Sequence, residues 1–359
     1  MKRILCLIDS LGPGGAQRQM VGLASFLKEK GYDVTVACYH DNRFYGDLLS
    51  SNNVPYVYLE KANNKSLRIW HIARYIRHGK PDVVISYLET PSICACIAKL
   101  FNHKFKLIVS ERNTSPQTGI KEKTRFNLFK VADYVVPNSH SQELYIQKTF
   151  PKLMDKTVTI PNFVDLEHFV PPLNRRRRDV PEIMIAASIW PSKNALGFID
   201  AVAQLKTNGV RIHISWYGYN TDHLDYINHC ENKIKQNNLE DYIELKEKSS
   251  QILDLYQDAD YFCLPSFYEG TPNVICEAMA CGLPIVCSNV CDNSRYVTEG
   301  ENGFLFNPLN TDSIVAAFGK LFALNDEEYY AFCYRSRMAA EKKLSKGSFV
   351  DKYINLIEQ

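Results

Sequence analysis

Two glutamates stand with seven residues between them in LPSFYEGTPNVICEAMACGLPIVCSN (264–289), Glu269 in the loop after an apolar run and Glu277 within a helix predicted over residues 273–280. A carboxylate accepts two hydroxyl hydrogen bonds at once, the pattern that a sugar or ribose diol offers, and at this spacing both acids can face one cleft. Between them Gly270 and Pro272 shape the turn, and the N–H groups around Thr271 to Val274, Asn273 among them, can take a phosphate at the helix N-terminus. Either acid alone could be a plain surface charge. Glu277, however, is set among Val274, Ile275, Cys276, Ala278, Met279 and Ala280, and an acid on so apolar a helix needs a partner. A second candidate is LGPGGAQRQM (11–20), after the first strand and opening a helix: Gly14 and Gly15 free the backbone to approach a ligand, and the helix start favours anions. It lacks the G-x-G-x-x-G spacing, and no acid follows the second strand in the ribose-binding position, so a tight strand-to-helix turn is the alternative reading.

The elements that must position these residues recur as short β-rich runs with helical patterns between them. The first set is RILCLI (3–8), DVTVACY (33–39), VPYVYL (54–59), DVVISYL (82–88), KLIVSE (106–111) and YVVPNS (134–139). The second is EIMIAAS (182–188), RIHISWYG (211–218), YIELK (242–246), YFCLPS (261–266), PIVCSN (284–289) and GFLF (303–306). Strand alternating with helix predicts an α/β fold of two doubly wound parallel sheets, with the carboxyl ends of their strands facing a ligand-binding cleft. FVPPLNRRRRDVPE (169–182) reads as a solvated interdomain linker, its arginines Arg175 to Arg178 alternatively suited to anionic lipid. The expected domains are residues 1–170 and 171–340, with 341–359 a helix packing back on the first domain.

Composition narrows the function classes. Of 359 residues, 42 are basic and 40 acidic, a net charge of +2, so no whole-molecule field draws the chain to nucleic acid or lipid. The opening apolar run reads as a strand and not a signal peptide, and no window has the roughly 18 apolar residues of a membrane span; a cytoplasmic or peripheral protein is expected. The 11 cysteines follow no C-x-x-C pattern and read as buried free thiols. Around the proposed cleft no D-x-D and no His/Asp cluster suggests a metal site, and no cofactor is expected. His140 and His168 read as surface or cap residues.

At the Glu269/Glu277 stretch the sequence resembles the retaining glycosyltransferases of family 4, which have the GT-B fold of two facing Rossmann-like domains. The resemblance continues through GGAQR (14–18), SERN (110–113), VPNSHSQELY (136–145), IPNFVDLEHF (160–169) and SIWPSKNALGFIDAV (188–202), all in family order. It implies that Glu277 holds the ribose of a nucleoside-diphosphate sugar, most simply a UDP-sugar. Glu269 would touch the transferred sugar, and Gly270, Thr271, Pro272, Asn273 and Val274 the sugar and distal phosphate. Lys193 would neutralise the departing diphosphate without a metal, with front-face transfer and the leaving phosphate oxygen as base. Ser188 stands where the family usually has a second phosphate-binding arginine, a charge that Arg112 or Arg18 could supply. Gln17 replaces the acid of the family's glycine loop, and Glu247-Lys248-Ser249 the usual base-binding glycine.

On the acceptor side the resemblance implies a polysaccharide or isoprenoid-linked saccharide, with Arg18, Glu111 and Asn113 as candidate contacts. SLRIWHIARYIRHGK (66–80), HKFK (103–106) and IKEKTRFNLFK (120–130) interleave cations and aromatics, which suits peripheral contact with an anionic membrane, or else the solvated faces of sheet-covering helices. No nucleic-acid recognition motif accompanies them. A nucleotide-sugar 2-epimerase of similar twin fold and a non-catalytic sugar-nucleotide-binding subunit are the alternatives.

Overall fold

The computed structural model describes residues 1–101, 104–112, 119–219 and 221–359, with Asp222 described by its backbone alone. The chain divides into two compact units, one of Met1–Phe163 with Lys346–Gln359 and the other of Val164–Ser345.

The first unit is built on six strands, β1 (Arg3–Leu7), β2 (Asp33–Cys38), β3 (Tyr56–Tyr58), β4 (Val83–Tyr87), β5 (Lys106–Glu111) and β6 (Tyr134–Pro137), in the order β3-β2-β1-β4-β5-β6. Every pairing is parallel. Parallel strands need crossover helices, and helices on both faces bury both faces, which is why these runs are apolar throughout instead of alternating. Along β1, Ile4 and Cys6 enter one core while Leu5 and Leu7 enter the other. The second unit repeats the plan with β7 (Glu182–Ala186), β8 (His213–Tyr219), β9 (Ile243–Glu247), β10 (Tyr261–Leu264), β11 (Ile285–Ser288) and β12 (Gly303–Phe306), in the order β12-β11-β10-β7-β8-β9. The two doubly wound sheets read from the sequence are therefore present, and each predicted run overlaps one strand. Winding reverses between β1 and β4 in one unit and between β7 and β10 in the other. Such switch points open a crevice at the carboxyl ends of the flanking strands, so the loops after β7 and β10 are where the second unit should act.

The helix Lys346–Glu358 belongs to the first unit. Its buried Phe349, Val350, Tyr353, Leu356 and Ile357 follow the i, i+1, i+4, i+7, i+8 spacing of one helical face and join the core around Met20, Leu23 and Leu27. Lys2 Nζ donates to the Ile357 carbonyl at 2.8 Å, tying the helix end to the first strand's start.

Three expectations need correction. Three of the four arginines are not those of a solvated linker: Arg175 donates to the Ala259 and Cys281 carbonyls, Arg177 to the Leu324 carbonyl, and Arg178 pairs with Asp258 and Asp260, while Arg176 is exposed. These three side chains staple the segment to its own unit by filling carbonyls left without partners at neighbouring helix ends, such as Ala259 and Cys281. In IKEKTRFNLFK, Phe126 and Phe129 are core residues and Arg125 lies in internal ion pairs with Glu89 and Glu111, so that stretch does not display its aromatics beside its cations. Among the cysteines nine are buried, and burial pushes the Cys6 and Cys96 thiols up to about 12, but Cys291 is exposed.

Candidate active site

The loop leaving β7 is held at close quarters. Gly218 of β8 passes so near that a Cβ there would sit 1.8 Å from the Ala187 carbonyl oxygen, and only glycine permits the approach. The Trp216 indole donates to that same carbonyl at 2.8 Å. Ser188 follows, half-buried, and a single 3-10 turn, Pro191–Lys193, leads into Asn194. Asn194 adopts the left-handed conformation (φ 57°), which its short polar side chain tolerates, and its amide donates to the Pro308 carbonyl at 2.9 Å. Lys193 is thus presented between two fixed points.

The loop leaving β10 is stitched to it, the Phe267 N–H donating to the Ser192 carbonyl at 2.9 Å. This brings two predicted residues together across the switch point: Lys193 Nζ lies 2.5 Å from Glu269 Oε1, with side chains 24% and 12% exposed. Ser266 Oγ donates to the same carboxylate oxygen at 2.5 Å, and the Glu269 N–H points at Cys291 Sγ, 3.4 Å away. The free protein therefore carries a partly shielded, internally neutralised ion pair, and a polyanion arriving here competes with Glu269 for Lys193.

Glu277 is positioned separately. It lies on the helix Asn273–Ala280, is 5% exposed, and accepts a hydrogen bond from Tyr256 Oη at 3.1 Å, the partner that an acid on an apolar helix required. Gly270 and Pro272 form the connection as expected, with Thr271 buried and Val274 half-buried. The Asn273 N–H donates to the Thr271 carbonyl at 2.9 Å, which removes it from the phosphate donors that the turn was expected to offer. A cavity of about 650 Å³ opens at the carboxyl ends of β11 and β12, lined by Phe267, Asn289, Asn307, Leu309 and Ser313 among others. None of the predicted residues lines it, although Phe267 comes from the same loop as Glu269.

In the first unit Gly14 precedes the helix Gly15–Glu29 without any side-chain cap. A Cβ on Gly14 would meet Gln17 Oε1 at 2.1 Å; its absence lets Gln17 fold back to donate to Asp9 Oδ1 at 3.0 Å. Arg18 is half-buried one turn on. Glu111, 3% exposed, pairs with Arg125. Arg112 is 9% exposed and donates to Asn162 Oδ1 at 2.6 Å and to Tyr353 Oη at 2.7 Å, with its guanidinium 4.0 Å from the Tyr87 ring centroid. Its Nε is buried without a hydrogen-bond partner among the described residues. Asn113 lies outside the described residues. Sequence reasoning missed Tyr256, Ser266 and Gln17's contact with Asp9; Ser266, three residues before Glu269, was within reach of inspection, whereas Tyr256 lies 21 residues from Glu277 and left no local signal.

Two family models cover most of the chain, one described as Glycosyltransferase Family 4 over residues 13–168 and one as Glycosyl transferases group 1 over residues 180–323. The chain belongs to glycosyltransferase family 4. Among its relatives is a Campylobacter jejuni enzyme named GalNAc-alpha-(1->4)-GalNAc-alpha-(1->3)-diNAcBac-PP-undecaprenol alpha-1,4-N-acetyl-D-galactosaminyltransferase, 25% identical over 92% of this chain and 90% of the relative. Another is the Escherichia coli UDP-Gal:alpha-D-GlcNAc-diphosphoundecaprenol alpha-1,3-galactosyltransferase, 29% identical over 50% of this chain and 48% of the relative. A glycosyltransferase from Rickettsia africae has the same fold, with a TM-score of 0.86 at 16% identity over 99% of this chain and 98% of its own. HepE of Anabaena, solved with UDP and glucose, matches at a TM-score of 0.85 and 17% identity over the whole of both chains. The glycosyltransferase thus has the GT-B fold that the twelve strands and two switch points among its described residues mark. Among its described residues no helix is long and apolar enough to cross a membrane, and no group of three or more His, Cys, Asp or Glu could hold a metal ion.

Proposed function

We propose that this glycosyltransferase moves a sugar from a UDP-sugar, with retention of anomeric configuration, to a hydroxyl of a lipid-linked oligosaccharide or polysaccharide, without a metal. The observation that carries the reading is the Lys193–Glu269 pair at the β7/β10 switch point, one cation and one diol acceptor held in a single shielded contact. In this reading Glu277 binds the donor ribose, and Lys193 turns from Glu269 toward the diphosphate as negative charge grows on departure. Glu269 and the Gly270–Val274 backbone hold the transferred sugar. No protein nucleophile is assigned: positioning and charge stabilisation supply the catalysis, and the leaving phosphate oxygen takes the acceptor's proton. Arg112 and Arg18 are the candidates for the charge absent at Ser188; for the acceptor Asn113 is the candidate, Glu111 being buried and already paired with Arg125.

The relatives' undecaprenol-linked substrates support an acceptor embedded in a membrane. Peripheral contact with an anionic leaflet is supported by the helix Arg68–Gly79, where Leu67, Ile69 and Trp70 are exposed beside Arg74 and Arg77, the Arg74 guanidinium lying 5.3 Å from the Trp70 ring centroid.

The test is a thermal-shift panel of nucleoside-diphosphate sugars followed by anomeric analysis of the product by NMR, with EDTA in parallel. The expected result is stabilisation by a UDP-sugar, an α-linked product from an α-linked donor, and activity that survives the chelator. Inversion, or loss of activity restored only by manganese or magnesium, would refute the mechanism. Release of a free epimer without acceptor would favour the epimerase alternative.

A further inference from the structure

Tyr256 lies on the helix Ile252–Asp258, fully buried, with its ring 5.8 Å from that of Phe262 and 6.0 Å from that of Phe169. Its hydroxyl has two acceptors in reach, Glu277 Oε2 at 3.1 Å and the Val274 carbonyl at 3.3 Å. A phenol has one proton to give, and the carboxylate is both nearer and charged, so the proton goes to Glu277. Close packing of the ring holds the hydroxyl where it is.

We propose that Tyr256 is a positioning residue for Glu277, orienting its carboxylate to receive the ribose diol of a nucleoside diphosphate. The proposal rests on the reading of Glu277 as the donor's ribose-binding acid and adds how that acid is aimed. A glutamate has three side-chain torsions; a carboxylate already held by a buried phenol has met that ordering cost before the ligand arrives. The brace also gives an acid on an otherwise apolar helix a buried partner in the free protein.

Tyr256→Phe removes the hydroxyl and keeps the ring. Calorimetry would compare wild type, Tyr256→Phe and Glu277→Gln, using whichever of UDP, GDP and ADP the wild type binds best, together with its 2′,3′-dideoxy form. The wild type should prefer the ribose form by about tenfold or more, the scale of a hydrogen bond to a charged group. In Tyr256→Phe that preference should shrink to below about threefold while the dideoxy form binds as in wild type, since base and phosphate contacts are untouched. A merely structural hydroxyl would lower the melting temperature and leave the preference alone. Wild-type preference in Tyr256→Phe therefore overturns the proposal, and so does an equal loss of both ligands, which would show a general collapse of the site. Glu277→Gln separates the two layers: if it loses the preference while Tyr256→Phe keeps it, only the brace fails, and if it too keeps the preference, the ribose reading of Glu277 fails beneath it.

Discussion

Replacing Glu269 by Gln should leave UDP affinity unchanged or raise it, while turnover with the intact donor falls. The magnitude follows from the pair's geometry. Lys193 Nζ and Glu269 Oε1 are 2.5 Å apart on side chains 24% and 12% exposed. Unit charges about 4 Å apart at an effective dielectric near 20 attract by roughly 4 kcal/mol, and desolvation of both partners cancels most of that. A net coupling of about 1 kcal/mol remains, which is the competition that a diphosphate must overcome to recruit Lys193. Glutamine keeps the shape and an oxygen for Ser266 but removes the competing charge, so UDP should bind equally or up to about fivefold tighter. UDP carries no transferred sugar, and the proposed loss of Glu269's contact with that sugar should appear only with the full donor, as a fall in kcat of about 10- to 100-fold. Calorimetry with UDP and steady-state kinetics with the UDP-sugar read the two effects separately. A tenfold or larger loss of UDP affinity in Glu269→Gln would refute the reasoning, because it would mean that this carboxylate holds the nucleotide.

Lys193→Ala should lower kcat by about 100-fold, the scale of one lost charge-stabilising donor, with a smaller change in donor KM; wild-type turnover would reassign the diphosphate cation. Glu277→Gln should weaken UDP itself by roughly 1.5–3 kcal/mol and leave kcat at saturating donor nearly intact, and calorimetry showing full UDP affinity would reject its ribose role. Vesicles containing anionic lipid should bind the protein at low salt and release it at high salt, with Trp70→Ala and Arg74→Ala each weakening binding, since each basic residue near such a surface contributes about 1 kcal/mol; no binding at low salt rejects the membrane face. Tyr353→Phe should cost about 1–3 kcal/mol of stability, read as a lower melting temperature, because it leaves Arg112 Nη2 and the Tyr87 hydroxyl without the buried oxygen that each now reaches at 2.7 and 2.9 Å.

The sheets were legible because strands buried on both faces must be apolar throughout: YFCLPS and PIVCSN contain β10 and β11, whose residues are all buried. The acids were legible for a related reason, since Glu277 interrupts a helix whose neighbours are nearly all apolar. What bound them was not. Lys193 meets Glu269 only because the topology places the ends of β7 and β10 side by side, 76 residues apart in sequence. The arginine run misled in the same way: its charges looked solvated in sequence, yet the partners of Arg175 and Arg178 are carbonyls and carboxylates supplied by residues 258–281. Composition registers that a segment is charged, whereas the acceptors that consume the charge are set by distant packing.

Charge balance shows why the departure at Ser188 matters. Lys193 and Glu269 together contribute no net charge, so this loop pair cannot neutralise a diphosphate carrying two or more negative charges. The N-terminus of the helix Asn273–Ala280 adds the equivalent of roughly half a positive charge, reduced here because the Asn273 N–H is already engaged. In the proposed reading, a serine where the family usually has an arginine leaves the departing group one cation short. In the first unit Arg112 is a buried cation of its own: the residue is 9% exposed, is held by a neutral amide, a phenol and an aromatic face, and pairs with no carboxylate among the described residues. A buried cation compensated only by neutral groups is costly in a ligand-free protein, and an anion that meets it recovers that cost when it binds. The same network anchors the C-terminal helix of that unit through Tyr353, whose hydroxyl meets both Arg112 and Tyr87.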